Sequence, residues 1–240
     1  MPIHPLKRIE DKVRDLIQNV DYLLYLLLNP FKFKPFPRDI KRILVVELFN
    51  IGDLIVITPV LQALRQQYPF AEIDLLVKKD KQDVLANNPS INNIIPYTTF
   101  SKTKTILQQK KYDLSILLHP GSLKISALLM LAGIKYRIGC AKAGITYGKG
   151  FFLHKKIFPN NKWQHKVEDN LDVIKAINIH HARTKLEVSV KLQAEKKIKA
   201  MFAKKKHPLI GINAASQHGT QRWYPERFAD VANQLIEKHE

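Results

Sequence analysis

From Lys41 onward, short β-branched apolar runs alternate with stretches of helical period, and this alternation most constrains what the chain can fold into. Arg42-Ile43-Leu44-Val45-Val46-Glu47-Leu48 is nearly continuous in apolar residues, the pattern of a strand covered on both faces. Helical spacing follows over 54–68, with Pro69 beyond it. Further strands are expected at 73–77, 94–95, 113–118 and 136–139. Between and after them, a short helical piece is expected at 84–87 and helices at 102–110, 125–132, 164–178 and 194–206. Parallel neighbours need a crossover, and the crossover helices cover the faces. The pattern therefore predicts an α/β fold with a doubly wound, Rossmann-like parallel sheet.

Two segments flank this region. Leu6, Ile9, Val13, Leu16, Ile17, Val20, Leu23, Leu24 and Leu27 recur at helical spacing, so 6–28 reads as an amphipathic helix. Phe31-Lys32-Phe33-Lys34-Pro35-Phe36-Pro37-Arg38 then alternates rings with bases, and its prolines forbid regular structure. Rings interleaved with cations suit a lipid headgroup layer; a helix docked on the domain with a proline linker behind it accounts for the same residues. At the other end, 208–213 reads as a new strand, 214–222 as a loop and 225–238 as a helix with Pro225 in its first turn. One β-loop-α unit has no sheet of its own to cover. Either it joins the first sheet or the chain is a piece of a longer protein. The expected domains are 1–40, an N-terminal helix and basic-aromatic linker; 41–206, the Rossmann-like domain; and 207–240, the opening of a second such domain.

Composition narrows the partners. The net charge is +18 and the pI about 9.9, which favours polyanions: nucleic acid, an anionic membrane face or a phosphorylated substrate. A lysine-rich genome explains the same charge. Cys140 is the one cysteine, so neither an internal disulfide nor a cysteine zinc site is expected. No run of about 18 apolar residues is present to span a bilayer as a helix. Glu10, Asp11 and Asp15 break any secretory-signal pattern, and a cytoplasmic location is expected.

Two segments can carry chemistry. Phe49-Asn50-Ile51-Gly52-Asp53 lies between the first strand and its helix, and open parallel sheets bind ligands beyond the carboxyl ends of their strands. Gly52 lets a ligand approach the backbone, and a carboxylate at Asp53 can take a proton from a substrate hydroxyl. Asp is also a favoured helix cap, which explains Asp53 without catalysis. The second segment, 214–223, joins small residues and hydroxyls to Arg222 between a strand and a helix, an arrangement able to hold phosphate or simply to be a solvated loop anchored by Trp223. No GxGxxG fingerprint is present, and His154, His165, His180 and His181 lack metal-ligand spacing.

Taken together, these motifs resemble family 9 glycosyltransferases, which include the ADP-heptose:lipopolysaccharide heptosyltransferases. The resemblance is carried by Arg42–Val46, Asn50-Ile51-Gly52-Asp53-Leu54, Thr58-Pro59-Val60-Leu61, Leu64-Arg65, Tyr68-Pro69 and Asn88-Pro89-Ser90-Ile91. It continues through Tyr112-Asp113-Leu114, His119-Pro120-Gly121-Ser122, Arg137-Ile138-Gly139, Ile212-Asn213-Ala214-Ala215-Ser216 and Arg222-Trp223-Tyr224-Pro225-Glu226-Arg227-Phe228. It spans about residues 41–239.

The resemblance implies a two-domain GT-B fold and inverting, metal-independent transfer of a heptose or similar sugar. The donor would be a nucleotide sugar such as ADP-heptose, acting as co-substrate with no cofactor. The acceptor would be the lipopolysaccharide core or another phosphorylated glycolipid. Asp53 falls on the family's catalytic aspartate, a general base. Asn50, Gly52, Gly121, Ser122 and Lys124 fall where acceptor contacts are expected. Ser216, Thr220, Gln221 and Arg222 fall on the loop that holds the donor phosphates. The enzyme would work peripherally on the cytoplasmic face of the inner membrane, with no nucleic-acid partner. Two departures stand out. Gln221 occupies the place of a family lysine, and Arg222 beside it supplies charge of a different geometry. The later part of the donor domain is missing from the sequence, so the chain is expected to be C-terminally truncated. An inactive acceptor- or membrane-binding fragment is the alternative reading.

Overall fold

The structure, a computed structural model, describes residues 16, 20, 27, 31, 33–118, 122–140, 151–157, 164–180, 185–188, 190, 192–203, 209–216 and 219–239. It divides into two compact units, Met1–Val190 and Lys191–Glu240.

The first unit is built on a six-stranded parallel sheet. Its strands are β1 (Arg42–Val46), β2 (Glu72–Lys78), β3 (Asn93–Tyr97), β4 (Leu114–Leu117), β5 (Tyr136–Cys140) and β6 (Lys155–Ile157), in the order β3-β2-β1-β4-β5-β6. Helices α1 (Ile51–Val56), α2 (Thr58–Gln67) and α5 (Lys166–Lys175) lie on one face; α3 (Phe100–Lys110) and α4 (Leu123–Leu131) cover the other. Alternation along β1 serves both layers. Ile43 and Val45 pack toward α2 and α5, while Leu44 and Val46 pack toward α3 and α4. The expected doubly wound sheet is present, with β6 as an additional edge strand that its brevity and two lysines conceal in the sequence.

Where the expected helix 54–68 is broken, proline is the cause. Pro59 has no N–H to donate to the carbonyl four residues back. The Thr58 hydroxyl donates to that Ile55 carbonyl instead, at 2.7 Å, and accepts from the Glu187 N–H at 3.0 Å. The Thr58-Pro59 motif thus divides α1 from α2 and ties down residues 185–188. Around 84–87, expected to be helical, the chain makes isolated turns after a 3₁₀ turn at Lys79–Lys81.

Other family motifs are structural ties. The Arg65 guanidinium donates to the carbonyls of Pro69 and Ala71 at 3.1 and 2.8 Å and to the Asn92 side chain at 2.6 Å. Asp113 accepts from the Lys41 and Arg42 N–H groups at 2.9 and 3.0 Å and from Lys135 Nζ at 2.6 Å. Buried Asp74 accepts from the Tyr112 hydroxyl at 2.6 Å, Lys110 Nζ at 2.8 Å and Asn93 at 2.8 Å. Gly139 is needed for space, since a Cβ there would meet Leu117 Cβ and O and Leu153 Cδ1, each at 2.9 Å.

The aromatic linker is docked at two of its rings. Phe36 meets Tyr136 edge-on at 5.1 Å, and Phe31 lies under the Arg137 guanidinium at 4.7 Å. Tyr136 stacks on His154 at 4.5 Å. Burial, with Arg137 and Lys34 nearby, pushes the His154 pKa down to about 3, so the ring is neutral. Phe33 alone of the three is largely exposed. The expected helix 6–28 lies outside the described residues except Leu16, Val20 and Leu27, which are helical and exposed.

The second unit holds α6 (Leu192–Phe202), a 3₁₀ turn at Gly219–Gln221 and α7 (Pro225–His239). α6, expected to close the first domain, falls within this unit. Of the expected strand at 208–213, residue 208 lies outside the described residues and 209–213 join no ladder; among the described residues of this unit there is no other strand for them to bond with. No helix among the described residues is long and apolar enough to cross a membrane.

Candidate active site

Strand order reverses between β1 and its neighbours β2 and β4, so the carboxyl ends of β1 and β4 flank the switch point of the sheet, where open α/β folds leave a crevice for ligands. The two strands run in register through Val46 and Leu117, and the Leu118 N–H continues the pairing to the Val46 carbonyl at 3.1 Å.

Beyond Val46 the chain turns sharply. Glu47, buried, donates its N–H to the Leu76 carbonyl at 3.0 Å, and its Oε1 accepts from the Phe49 N–H at 3.0 Å. Sequence reasoning passed over this residue as part of an apolar run. The signal was there in a carboxylate between Val46 and Leu48, where burial requires a built partner. α1 then begins after Asn50. Asp53 Oδ2 accepts from the Asn50 N–H at 3.1 Å, and the Leu54 N–H bonds the Asn50 carbonyl at 3.2 Å. Asp53 therefore caps its helix, and the same bond fixes where the half-buried carboxylate sits above β1. A cap and a base are compatible, because a carboxylate offers more acceptor positions than one N–H uses. Asn50 and Gly52 are exposed beside it. A Cβ on Gly52 would meet no atom within 4 Å, so packing within the chain does not demand glycine there.

Across the switch point, α4 starts after Ser122, whose carbonyl accepts from the Ile125 and Ser126 N–H groups at 3.0 Å each. Ser122 is half-buried and Lys124 exposed, so the fold brings both to the strand end neighbouring that of Asn50, Gly52 and Asp53. Gly121 lies outside the described residues.

The second unit carries the other group of expected site residues. Ser216 Oγ donates to Gln221 Oε1 at 3.0 Å, Arg222 Nε to the Ser216 carbonyl at 2.7 Å, and the Arg222 N–H to the Gly219 carbonyl at 3.1 Å. Trp223 braces the base of the loop edge-on against Phe228 at 5.1 Å. Ser216, Gln221 and Arg222 are brought together around the turn holding Thr220. Gln221, in the place of the family lysine, makes a hydrogen bond and supplies no charge.

The family model described as glycosyltransferase family 9 (heptosyltransferase) matches residues 100–239. The chain belongs to this family. Among similar proteins, lipopolysaccharide heptosyltransferase 3 of Escherichia coli is 28% identical over 204 residues, covering 78% of this chain and 58% of that protein. Among solved structures, the family 9 glycosyltransferase of Veillonella parvula has a TM-score of 0.69 at 23% identity, over 84% of this chain and 62% of that one. The E. coli ADP-heptose lps heptosyltransferase II has a TM-score of 0.67 at 23% identity, over 82% and 62%. At these identities the structural likenesses establish the fold. This family 9 chain spans 58–62% of the length of these relatives.

Proposed function

We propose that this chain supplies the acceptor-side domain, and the opening of the donor-side domain, of an inverting, metal-independent GT-B heptosyltransferase of lipopolysaccharide core assembly. The observation that carries the reading is a half-buried carboxylate, Asp53, held at the switch point of a parallel sheet in a chain of family 9. The relatives' names supply the substrate classes, ADP-heptose and lipopolysaccharide, and we take the first as donor and the core of the second as acceptor.

Asp53 acts as general base. It takes the proton from an acceptor hydroxyl as that oxygen attacks the anomeric carbon, and the nucleoside diphosphate departs on the opposite side. A single in-line displacement inverts the centre. Asn50, Gly52, Ser122 and Lys124, with Gly121, hold the acceptor. The loop of Ser216, Thr220, Gln221 and Arg222 stabilises the leaving diphosphate through N–H donors and the guanidinium, the task a divalent ion performs elsewhere. The basic balance of the chain, +18, favours a peripheral position on the anionic cytoplasmic face of the inner membrane.

The test joins this chain to a complete donor domain and offers the protein ADP-heptose with a heptose-less core acceptor. Mass spectrometry of the acceptor is expected to show a gain of one heptose, undiminished by a chelator. No transfer from any nucleotide sugar would contradict the proposal.

A further inference from the structure

The segment 31–38 is fastened to the sheet by two of its rings and turns outward between them. Phe36 meets Tyr136, the first residue of β5, and Phe31 lies against the guanidinium of Arg137, the second. That guanidinium is buried. Its Nε and Nη1 donate to the carbonyls of Phe152 and Ile134 at 2.7 and 2.6 Å, and Nη2 has no hydrogen-bond partner among the described residues. The Phe31 ring therefore covers a desolvated cation, the setting in which a cation–π contact is strongest. Between the two rings, the Lys34 N–H donates to the Phe31 carbonyl at 3.1 Å. This closes a turn with Phe33 at its third position, 80% exposed. Lys34 and Arg38 are exposed in the same segment. Six residues before Phe33, Leu27 is helical and exposed, as are Val20 and Leu16. Their spacing of seven and four residues is that of one helical face.

We propose that this turn and the helical face before it form an interfacial anchor for a bilayer rich in anionic phospholipid, with Phe33 entering the headgroup layer and Lys34 and Arg38 meeting lipid phosphates. The inference gives a place to the peripheral position proposed above, and it depends neither on Asp53 nor on sugar transfer. Charge decides the occupant. Residues 31–42 hold five cations, Lys32, Lys34, Arg38, Lys41 and Arg42, against one anion, Asp39. An aromatic ring flanked by bases suits the boundary between headgroups and acyl chains, where apolar burial and attraction to anionic lipid act together. The turn is already held by Phe31 and Phe36, so docking has little ordering entropy left to overcome. Both fastening points lie at the amino end of β5. Asp53 lies beyond the carboxyl end of β1, which runs parallel to β4 and β5. The anchor is therefore at the opposite end of the sheet from the ligand crevice.

The experiment is co-sedimentation of the 240-residue chain with vesicles of phosphatidylglycerol and phosphatidylethanolamine, compared with vesicles of phosphatidylcholine alone. Binding is expected on the anionic vesicles and is expected to weaken as salt rises. Phe33→Ser should weaken it roughly tenfold, and Leu27→Ser, Lys34→Ala and Arg38→Ala each roughly fivefold. Phe33→Trp should bind as the parent does. All four positions are exposed, and unchanged thermal unfolding establishes that the variants are folded. Equal binding by the parent and Phe33→Ser would overturn the anchor and leave a peripheral position held by overall charge. Self-association of the parent in sedimentation velocity, lost in Phe33→Ser and Leu27→Ser while vesicle binding is unchanged, would overturn it in favour of a second copy of the chain. No binding of the parent to anionic vesicles would overturn the anchor and the peripheral position together, and the sugar-transfer reading would stand on its own test.

Discussion

In the proposed mechanism, Asp53 serves structure and chemistry at once. Its bond to the Asn50 N–H orients the carboxylate and satisfies an otherwise orphaned donor at the start of α1. Asp53→Asn retains an acceptor oxygen for that bond and removes the basicity, so it separates the two roles: thermal stability is expected to change little. Gly139 is the opposite case, a residue whose importance is wholly steric. Its absent Cβ leaves room for Leu117 and Leu153, and Gly139→Ala is expected to destabilise the first unit by about 1–3 kcal/mol in denaturant titration. The identity of Gly139 was readable in the sequence only as a motif; the need for it lies in a cross-strand contact that no local pattern encodes. Gln221 is likewise visible as a departure in sequence, but its engagement with Ser216 emerges only from the folded turn.

At the scale of elements, the strands were legible because a doubly covered strand is mostly apolar, as 43–46 of β1, 75–77 of β2 and Leu114, Ile116 and Leu117 of β4 are. β6 was not legible, being three residues long with one apolar side chain. The division of α1 from α2 was missed because helical periodicity runs through Pro59, and only the backbone accounting at Ile55 marks the break. The amino ends of β1 and β4 meet at Asp113, where burial raises the carboxyl pKa but Lys135 and the Lys41 and Arg42 N–H groups hold it, on balance, below its ordinary 3.8. A carboxylate depressed on folding stabilises above its unfolded pKa, and that contribution is lost as pH falls through the folded value. Unfolding free energy is therefore expected to fall below about pH 4, and Asp113→Ala to flatten part of that fall. At neutral pH the same substitution, by leaving two N–H groups without their acceptor, is expected to cost about 1–3 kcal/mol. Chemical denaturation across pH measures both.

At the scale of the whole molecule, the two units differ in how fully their apolar residues are covered. The first has core layers on both faces of its sheet. In the second, Leu209, Ile210, Ile212, Val231 and Ile236 are exposed. The sequence pattern at 208–213 is that of a strand, yet a strand requires neighbours, and local pattern carries no information about whether they are present. Amides 209–213 are expected to exchange with deuterium orders of magnitude faster than those of β1, with protection tracking ladder pairing. Family membership and the geometry at the switch point meet in one claim, that the carboxylate of Asp53 drives sugar transfer. The most direct measurement is the transfer rate at saturating donor and acceptor for the parent protein and Asp53→Asn, each carrying a complete donor domain. A general base contributes about 10²–10⁴-fold, so the variant should lose at least a hundredfold in kcat while still binding acceptor. Equal kcat in the two proteins would contradict the claim.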